Sequence, residues 1–202
     1  MLYFTSDNHF GHENAIKYCD RPFSSVEEMN DVMIRYWNET VSPEDEIYHL
    51  GDFSLAASQV TIVTPILNGI KYLVPGNHDL CHTYHPRSHK PESHAKRIKQ
   101  YQEAGWIVLP EQTSLSIPAV GEVDLCHHPY SDKDLEYDKY ANWRPEDKGN
   151  WLLCGHMHHK WKIKEKMINV GVDVWNFSPV PRTEIIKVIH REENTQPSKK
   201  MK

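Results

Sequence analysis

Residues 70–79 read IKYLVPGNHD, an apolar run that stops at a proline and a glycine and leads directly into an Asn-His-Asp triplet. The apolar run predicts a buried strand at residues 70–74. Three side chains that can bind a metal ion or carry a proton follow this strand without a gap. Because sites in open α/β sheets gather at the carboxyl ends of strands, this stretch predicts a site at a sheet edge.

The same arrangement recurs along the chain. Short apolar runs at residues 2–6, 47–50, 123–126 and 151–154 also predict strands, and each leads into carboxylate or imidazole side chains. Five strand ends can therefore converge on one place. In chain order, the segments that follow the strands are Asp7-Asn8-His9, Gly51-Asp52, Gly76-Asn77-His78-Asp79, His127-His128 and Gly155-His156-Met157-His158.

The donor atoms in these segments indicate a metal site. At a strand end, residues i and i+2 can face one ion, which is the spacing of Asp7 and His9 and of His156 and His158. A mixture of oxygen and nitrogen donors suits manganese, iron or zinc, whereas oxygen donors alone suit magnesium or calcium. The glycines in three of the segments let the backbone turn where a side chain would block the ions. Each segment alone is common by chance, but all five in this order favour a metal centre.

The remaining pattern predicts a layered α/β fold. Helices are predicted at residues 25–41, 56–67, 92–104 and 183–190. Hairpins are predicted across residues 118–121 and between 162–164 and 167–170. Strands alternate with helices in the first half and dominate the second half, which is typical of α/β layers. We expect one domain at residues 1–190, a charged exposed excursion at 131–149, and a disordered polar tail at 191–202.

Composition narrows the class of protein. A chain of 202 residues is long enough for one domain and short for two. The formal net charge of −5 disfavours a long nucleic-acid duplex as a partner. The chain has no apolar run of the ~20 residues that span a bilayer and no secretory signal, so we expect no membrane partner and a cytoplasmic location. Its 4 cysteines are too few and too scattered for a disulfide framework, and we expect reduced thiols. Nothing in the sequence indicates an oligomeric state.

The five segments together resemble the calcineurin-like metallophosphoesterase family, over nearly the whole chain from Asp7 to residue 189. The stretches SDNHFGH at residues 6–12 and NVGVDVWN at 169–176 resemble small bacterial and phage members. The resemblance implies a four-layer α-β-β-α sandwich. In such a fold two mixed sheets lie face to face, helices cover the outside, and a dinuclear metal centre lies at one sheet edge.

The resemblance also implies a set of ligands. One histidine of the His127-His128 pair is a ligand; we predict His127, because it directly follows a strand and because related members carry this histidine two places before a proline like Pro129. Asp52 is predicted to bridge two divalent ions, either Mn²⁺ or Fe²⁺/Fe³⁺, with Zn²⁺ or Ni²⁺ as alternatives. The first ion is assigned to Asp7, His9 and His158, and the second to Asn77, His127 and His156.

Such a pair of ions suits phosphoryl chemistry. Two ions ~3.5–4 Å apart stabilise both the entering and the leaving oxygen of an in-line displacement, and a bridging water loses a proton near neutral pH. The predicted nucleophile is a metal-bridging hydroxide. His78 is predicted to stabilise the transition state or protonate the leaving alkoxide, with Asp79 orienting its ring. His12, His128 and Arg87 are predicted to contact the substrate, Arg87 as part of a cationic rim at residues 81–99.

A departure from the family narrows the substrate. Protein phosphatases and dinucleoside tetraphosphatases of this superfamily carry Asp-Arg-Gly shortly after Gly-Asp, but here Phe53-Ser54-Leu55 follows Asp52. That arginine grips a dianionic monoester, so its absence favours phosphodiesters. We predict a phosphodiesterase that acts on small, single-stranded or cyclic nucleotides. The alternatives are a phosphomonoesterase of the same fold, a protein–protein adaptor, and a non-catalytic zinc module built on Cys126, His127, Cys154 and His156.

Overall fold

A computed structural model describes residues 1–130 and 138–195. Within those ranges the chain forms two five-stranded sheets and five α-helices. The helices are α1 (Glu13–Tyr18), α2 (Val26–Thr40), α3 (Ala57–Val63), α4 (Pro91–Ala104) and α5 (Arg182–Thr195). The strands are β1 (Leu2–Thr5), β2 (Glu46–His49), β3 (Ile70–Leu73), β4 (Trp106–Val108), β5 (Gln112–Ile117), β6 (Gly121–Cys126), β7 (Trp151–Cys154), β8 (Ile163–Lys164), β9 (Met167–Asn169) and β10 (Val180–Pro181).

The first sheet has the strand order β10-β1-β2-β3-β4. Strands β1 to β4 are parallel, and β10 is antiparallel to β1. His49 of β2 lies opposite Thr5 of β1 and Leu73 of β3, so these three strands end at the same level. The loops that follow them therefore leave the sheet side by side.

The second sheet has the order β5-β6-β7-β9-β8. Strands β6, β7 and β9 are parallel, and β5 and β8 are their antiparallel hairpin partners. An isolated parallel bridge between Ser6 and Gly171 joins the end of β1 to the chain after β9. The strand ends of the second sheet thus meet those of the first at one edge.

Alternation along the strands sorts the apolar side chains into layers. In β1, Tyr3 packs into the cluster under helices α2, α3 and α4, whereas Phe4 packs into the cluster between the sheets. Leu153 of β7 joins the inter-sheet cluster, as does Ile185 of α5. The protein is therefore a mixed α/β fold with two mixed sheets flanked by helices.

Helix α2 shows why the sequence pattern predicts helices well here. The hydroxyl of Ser25 accepts the backbone N–H of Glu28 at 3.1 Å, and the Glu28 carboxylate accepts the N–H of Ser24 at 2.7 Å. This reciprocal capping starts the helix one residue inside the predicted range. The predicted helices corresponding to α2, α3, α4 and α5 are confirmed, as are the two hairpins.

Two elements were not predicted. Helix α1 has six residues, of which Ala15 alone is buried, so it carries almost no helical periodicity. Strand β10 has two residues and pairs with β1 from the far end of the chain. Both are too short for a pattern to identify them.

The carboxyl end of the chain differs from the prediction. Helix α5 continues to Thr195, so the tail predicted from residue 191 overlaps its last turn. Residues 196–202 lie outside the described residues, as do residues 131–137 of the predicted charged excursion. Residues 138–149 are mostly exposed, as predicted, although Tyr140 is buried. Among the helices that are described, none has the length and apolar character needed to cross a membrane.

Candidate metal centre

Two buried carboxylates form the centre of the candidate site. Asp7 follows β1 and Asp52 follows β2, and both are at most 1% exposed. Their loops are tied together by backbone hydrogen bonds, from Asp7 N to the carbonyl of Gly51 at 3.0 Å and from His9 N to that of Asp52 at 3.1 Å. The Asp7 carboxylate also accepts the N–H of His156 at 3.0 Å, which brings in the second sheet.

Overlapping groups of potential ligands surround these carboxylates. Within each group the candidate ligand atoms lie within 4.8 Å of one another, and the groups share Asp7 and His127. Six of the seven predicted ligands are thereby brought together, and such clusters could hold metal ions. Three of the groups are Asp7, His9 and His158; Asp7, Asp52 and His127; and His127, His128 and His156; a fourth, Cys19, His158 and Asp173, shares His158 with the first.

Asp52 lies between the two halves of the cluster. Its Oδ2 is 3.3 Å from Nε2 of His127 on one side and 3.7 Å from Nε2 of His9 on the other. Its Oδ1 accepts the backbone N–H of His78 at 2.8 Å. Burial opposes ionisation of Asp52, but the surrounding imidazoles, that of His127 first, hold its pKa well below the usual value. The carboxylate is therefore charged and faces both sets of histidines.

Asn77, the seventh predicted ligand, lies in the loop after β3. It is 3% exposed, and its side-chain oxygen has no hydrogen-bond partner among the residues that the structure describes. The preceding Gly76 passes so close to Asp52 that an added Cβ would lie under 3.0 Å from the Asp52 carboxylate and its backbone nitrogen. The predicted need for glycine beside Asn77 is thus explained by close contact between two loops.

The predicted ligands adopt a costly backbone conformation. Asp7, His9, Asp52, His156 and His158 all have positive φ, between 48° and 68°. For residues other than glycine this region is sparsely populated and costs about 1–3 kcal/mol each, and it persists where the surroundings impose it. Five other non-glycine residues among those described also have positive φ, but five strained residues within one set of predicted ligands are typical of a functional site.

Partners of the imidazoles fix their orientation. His158 donates from Nδ1 to Asp173 at 3.0 Å, which leaves Nε2 facing Asp7 at 3.9 Å. His127 donates from Nδ1 to the carbonyl of Leu50 at 2.8 Å, which leaves Nε2 facing Asp52. A hydrogen bond at one ring nitrogen that frees the other for an ion is the usual arrangement of metal-binding histidines.

Arg21 was not predicted from the sequence, although its hydrogen bonds hold the loop of Asp7 and the ring of His158 in position. Its buried guanidinium donates to Asp173 at 2.7 Å, to the carbonyl of Asp7 at 2.6 Å and to that of Asn8 at 2.9 Å. One arginine therefore holds both the loop of Asp7 and the carboxylate that orients His158. No local signal marks Arg21, because its partners are distant in sequence.

His49 is a structural residue beside the cluster. Its Nε2 donates to the side chain of Asn8 at 2.9 Å and its Nδ1 accepts the N–H of Gly51 at 3.1 Å. Burial lowers the pKa of His49 to about 3, so the ring is neutral. It braces the loops of Asp7 and Asp52 without joining the ligand groups.

Unpartnered buried atoms show that the donor set fits metal ions. In the described part of the chain, the buried atoms without a hydrogen-bond partner include Nδ1 of His9, Oδ1 of Asn77 and both ring nitrogens of His128. Nε2 of His127 is buried 3.3 Å from the Asp52 carboxylate. Each such atom costs free energy unless something pairs with it. Imidazole nitrogens and an amide oxygen around two carboxylates form a mixed N/O set that suits a divalent transition-metal ion. The His128 ring stacks on Tyr140, with centroids 4.7 Å apart.

The structure corrects the role predicted for Asp79. Its carboxylate accepts the backbone N–H groups of Asp52 at 2.8 Å, Phe53 at 3.0 Å and Gly76 at 2.9 Å. These donors occupy both oxygens, and no hydrogen bond joins Asp79 to the His78 ring among the described residues. Asp79 therefore ties the loops after β2 and β3 together instead of orienting His78. A carboxylate buried beside free N–H groups pairs with them first.

The other predicted site residues divide into two groups. His78 and His12 lie beside the cluster, with ring centroids 5.5 Å and 5.6 Å from that of His9. Arg87 is exposed, and within the described part of the chain its guanidinium makes no hydrogen bond or ion pair with the cluster. Arg97 of the predicted cationic rim donates from its guanidinium to Gln100 at 3.0 Å, and the rim stays a prediction.

The alternative zinc module does not fit the structure. Cys126 and Cys154 pack with Leu152 and Met167 on the outer face of the second sheet. Neither thiol belongs to a candidate ligand group among the described residues, whereas the neighbouring histidines do. All four cysteines are free and buried, which confirms the expectation of reduced thiols.

Comparison with known proteins identifies relatives over nearly the whole chain. No family model matches the chain. It is 31% identical over 201 residues to the uncharacterized protein MJ1445 of Methanocaldococcus jannaschii, covering 94% of this chain and 92% of that protein. It is 30% identical over 205 residues to the gene 66 protein of Mycobacterium phage D29, covering 94% and 96%. The chain therefore belongs to the protein family that contains MJ1445 and the phage gene 66 proteins.

A solved structure supports the fold. The protein of unknown function AQ665 from Aquifex aeolicus superposes with a TM-score of 0.67 over 93% of this chain and 98% of that chain, at 24% identity. Phosphopantetheinyl hydrolase from Mycobacterium tuberculosis superposes over 70% of this chain and 48% of that chain at 17% identity, with a TM-score of 0.35. The second likeness is too remote to bear on function.

We expect metal binding to release protons. Burial lowers the pKa of His158, but Asp7 and Asp173 outweigh it and raise this pKa to about 11; Asp52 likewise raises the pKa of His127 against burial to about 9. Both rings are therefore protonated at pH 7 without a metal, and an ion must displace those protons. Calorimetric titration of chelator-treated protein with Mn²⁺, in two buffers of different ionisation enthalpy, should show net proton release and an affinity that rises with pH. Binding without proton exchange would contradict these charge states.

The carboxylate of Asp173 should control metal affinity without touching the ion. Asp173→Asn removes the charged acceptor from His158 and the partner of Arg21, and we expect about 10- to 100-fold weaker Mn²⁺ binding. Competition with a chromophoric chelator measures this change. Asp147→Asn is the matched control, since Asp147 is exposed and its carboxylate accepts the N–H of Gly149, away from the cluster. Equal affinity of both variants would exclude the role given to Asp173.

Proposed function

We propose that this protein is a metal-dependent phosphodiesterase with the four-layer metallophosphoesterase fold. The observation that carries the proposal is the position of Asp52, whose Oδ2 faces His9 on one side and His127 on the other. A carboxylate placed between two sets of imidazoles is suited to bridging two cations. The mixed α/β fold and the five loops that converge at one sheet edge support the same conclusion.

The residues available for two ions fall into two sets. We assign Asp7, His9 and His158, which form one candidate ligand group, to the first ion. We assign Asn77, His127 and His156 to the second ion, with Asp52 shared between the two. Two divalent ions held there would lower the pKa of bound water and neutralise charge on the phosphoryl oxygens. The protein itself keeps this surface rigid through Arg21 and Asp79, which fix the loops from behind.

His78 is suited to act on the substrate. Its backbone N–H is held by Asp52, its side chain is half-buried, and it lines a cavity together with His9 and His158. From this position the imidazole can donate a hydrogen bond to the leaving oxygen of a phosphoester. Transfer of a proton to that oxygen by a positioned histidine typically contributes about 10²- to 10⁴-fold in rate.

The loop after Asp52 favours diesters over monoesters. Phe53 and Ser54 are uncharged, both are fully buried, and Ser54 donates to the carbonyl of Phe10. This loop therefore offers no cation to a phosphoryl dianion. Arg21, the arginine buried beside the cluster, is already paired with Asp173 and with backbone carbonyls. A singly charged diester of a small nucleotide requires less positive charge from the protein than a monoester does.

A substrate panel tests the proposed activity. We expect Mn²⁺-loaded protein to hydrolyse bis(p-nitrophenyl) phosphate faster than p-nitrophenyl phosphate, and to lose hydrolysis on chelation. Asp52→Asn should lower kcat by at least about 10²-fold, because it weakens a ligand that faces both sets of histidines. Release of p-nitrophenolate measures both substrates in one assay. Fast monoester turnover with negligible diester turnover would refute the diester preference.

His78→Ala should separate catalysis from metal binding. We expect kcat on bis(p-nitrophenyl) phosphate to fall by about 10²- to 10⁴-fold while the metal content stays unchanged. Inductively coupled plasma mass spectrometry measures the metal content. His89→Ala provides the control, because His89 is an exposed histidine of the same connecting segment. Loss of metal in the His78 variant would show instead that this side chain is a ligand.

A further inference from the structure

A cavity of about 220 Å³ opens beside the candidate metal centre. It is continuous with that centre, because His9 and His158 belong both to its lining and to a ligand group. A substrate whose phosphorus lies at the ligand cluster can therefore direct one of its ester groups into this cavity. The lining residues are His9, His12, Ala15, Tyr18, Cys19, His78, His158, His159 and Lys160.

Part of the cavity wall is apolar and comes from helix α1 and from Cys19, which follows it. Ala15 and Cys19 are buried there, at 2% and 7% exposure. Tyr18, at the end of the helix, is 73% exposed. A tyrosine ring left uncovered beside buried apolar side chains offers a flat surface on which another ring can stack.

The rest of the lining is polar. His12, His78 and His158 line the cavity, and exposed Lys160 adds a positive charge. Nδ1 of His12 is buried and has no hydrogen-bond partner among the described residues, so a ligand atom that reaches this nitrogen would satisfy it. A lining that combines polar side chains with apolar ones matches a flat heterocycle, which carries polar atoms on its edge and an apolar face.

We propose that this cavity binds the base of a nucleotide substrate, stacked on Tyr18 and with its polar edge toward His12 and Lys160. The inference rests on the proposed function, because it places the phosphorus of that substrate at the ligand cluster. The volume fits one ring system and excludes a folded oligonucleotide. Stacking of one base on an aromatic side chain is strong enough to be measured and tolerates any base, so we infer a preference for nucleotides without strong base specificity.

Binding of two ligands that differ only in the base tests this inference. Calorimetry with Mn²⁺-loaded protein compares adenosine 5′-monophosphate with ribose 5-phosphate. We expect the nucleotide to bind about 5- to 100-fold more tightly to the wild type. Tyr18→Ala should bring this ratio close to one, whereas Tyr18→Phe should retain it. Lys17→Ala is the matched control, since Lys17 is exposed on the same helix and does not line the cavity.

The outcomes separate this inference from the proposed function. Equal binding of both ligands to the wild type, or a preference that survives Tyr18→Ala, would overturn the base site. Hydrolysis of bis(p-nitrophenyl) phosphate is measured on the same samples. If metal-dependent hydrolysis is present but the base preference is absent, the base site alone is wrong. If hydrolysis is absent, the proposed function fails, whatever the binding ratio is.

Discussion

The arrangement of the rest of this structure depends on two carboxylates that are buried close together. Asp7 and Asp52 are withdrawn from water at the edge where the sheets meet, and buried charges are tolerated only when opposite charge and hydrogen bonds compensate them. Imidazoles from both sheets supply opposite charge: they hold the pKa of Asp52 well below its usual value and oppose the burial that raises the pKa of Asp7. The strand ends of the two sheets must therefore converge. Five strained residues at this edge show how tightly the surrounding loops fix the arrangement.

Two further buried charged side chains, which do not face the cluster, hold the loops of the site in place. Asp79 collects three backbone N–H groups from the loops after β2 and β3, and Arg21 collects two carbonyls and the carboxylate of Asp173. A mobile Asp52 or His158 would make a poor site, because metal geometry and in-line attack both require atoms held within a fraction of an ångström. The buried side chains of Arg21 and Asp79 therefore hold the loops rigid, and the ligand nitrogens remain free to bind ions.

Much of the site could be predicted because its signals are local. A strand followed by Gly76, Asn77 and His78 is visible in ten residues, and the hairpins and longer helices follow from periodicity and turn residues. The pairing of Arg21 with Asp173 could not be predicted, since it joins residues 152 positions apart. The partners of Asp79 were missed for a related reason: backbone N–H groups carry no sequence signal. Helix α1, and with it the wall that carries Tyr18, was too short to be predicted.

The most direct test of this account is anomalous diffraction from crystals of manganese-loaded protein, recorded on both sides of the manganese absorption edge. The account predicts two peaks about 3.5–4 Å apart, with the carboxylate of Asp52 between them. Manganese bound elsewhere on the chain, or no peak within this cluster in protein that binds the ion in solution, would contradict it.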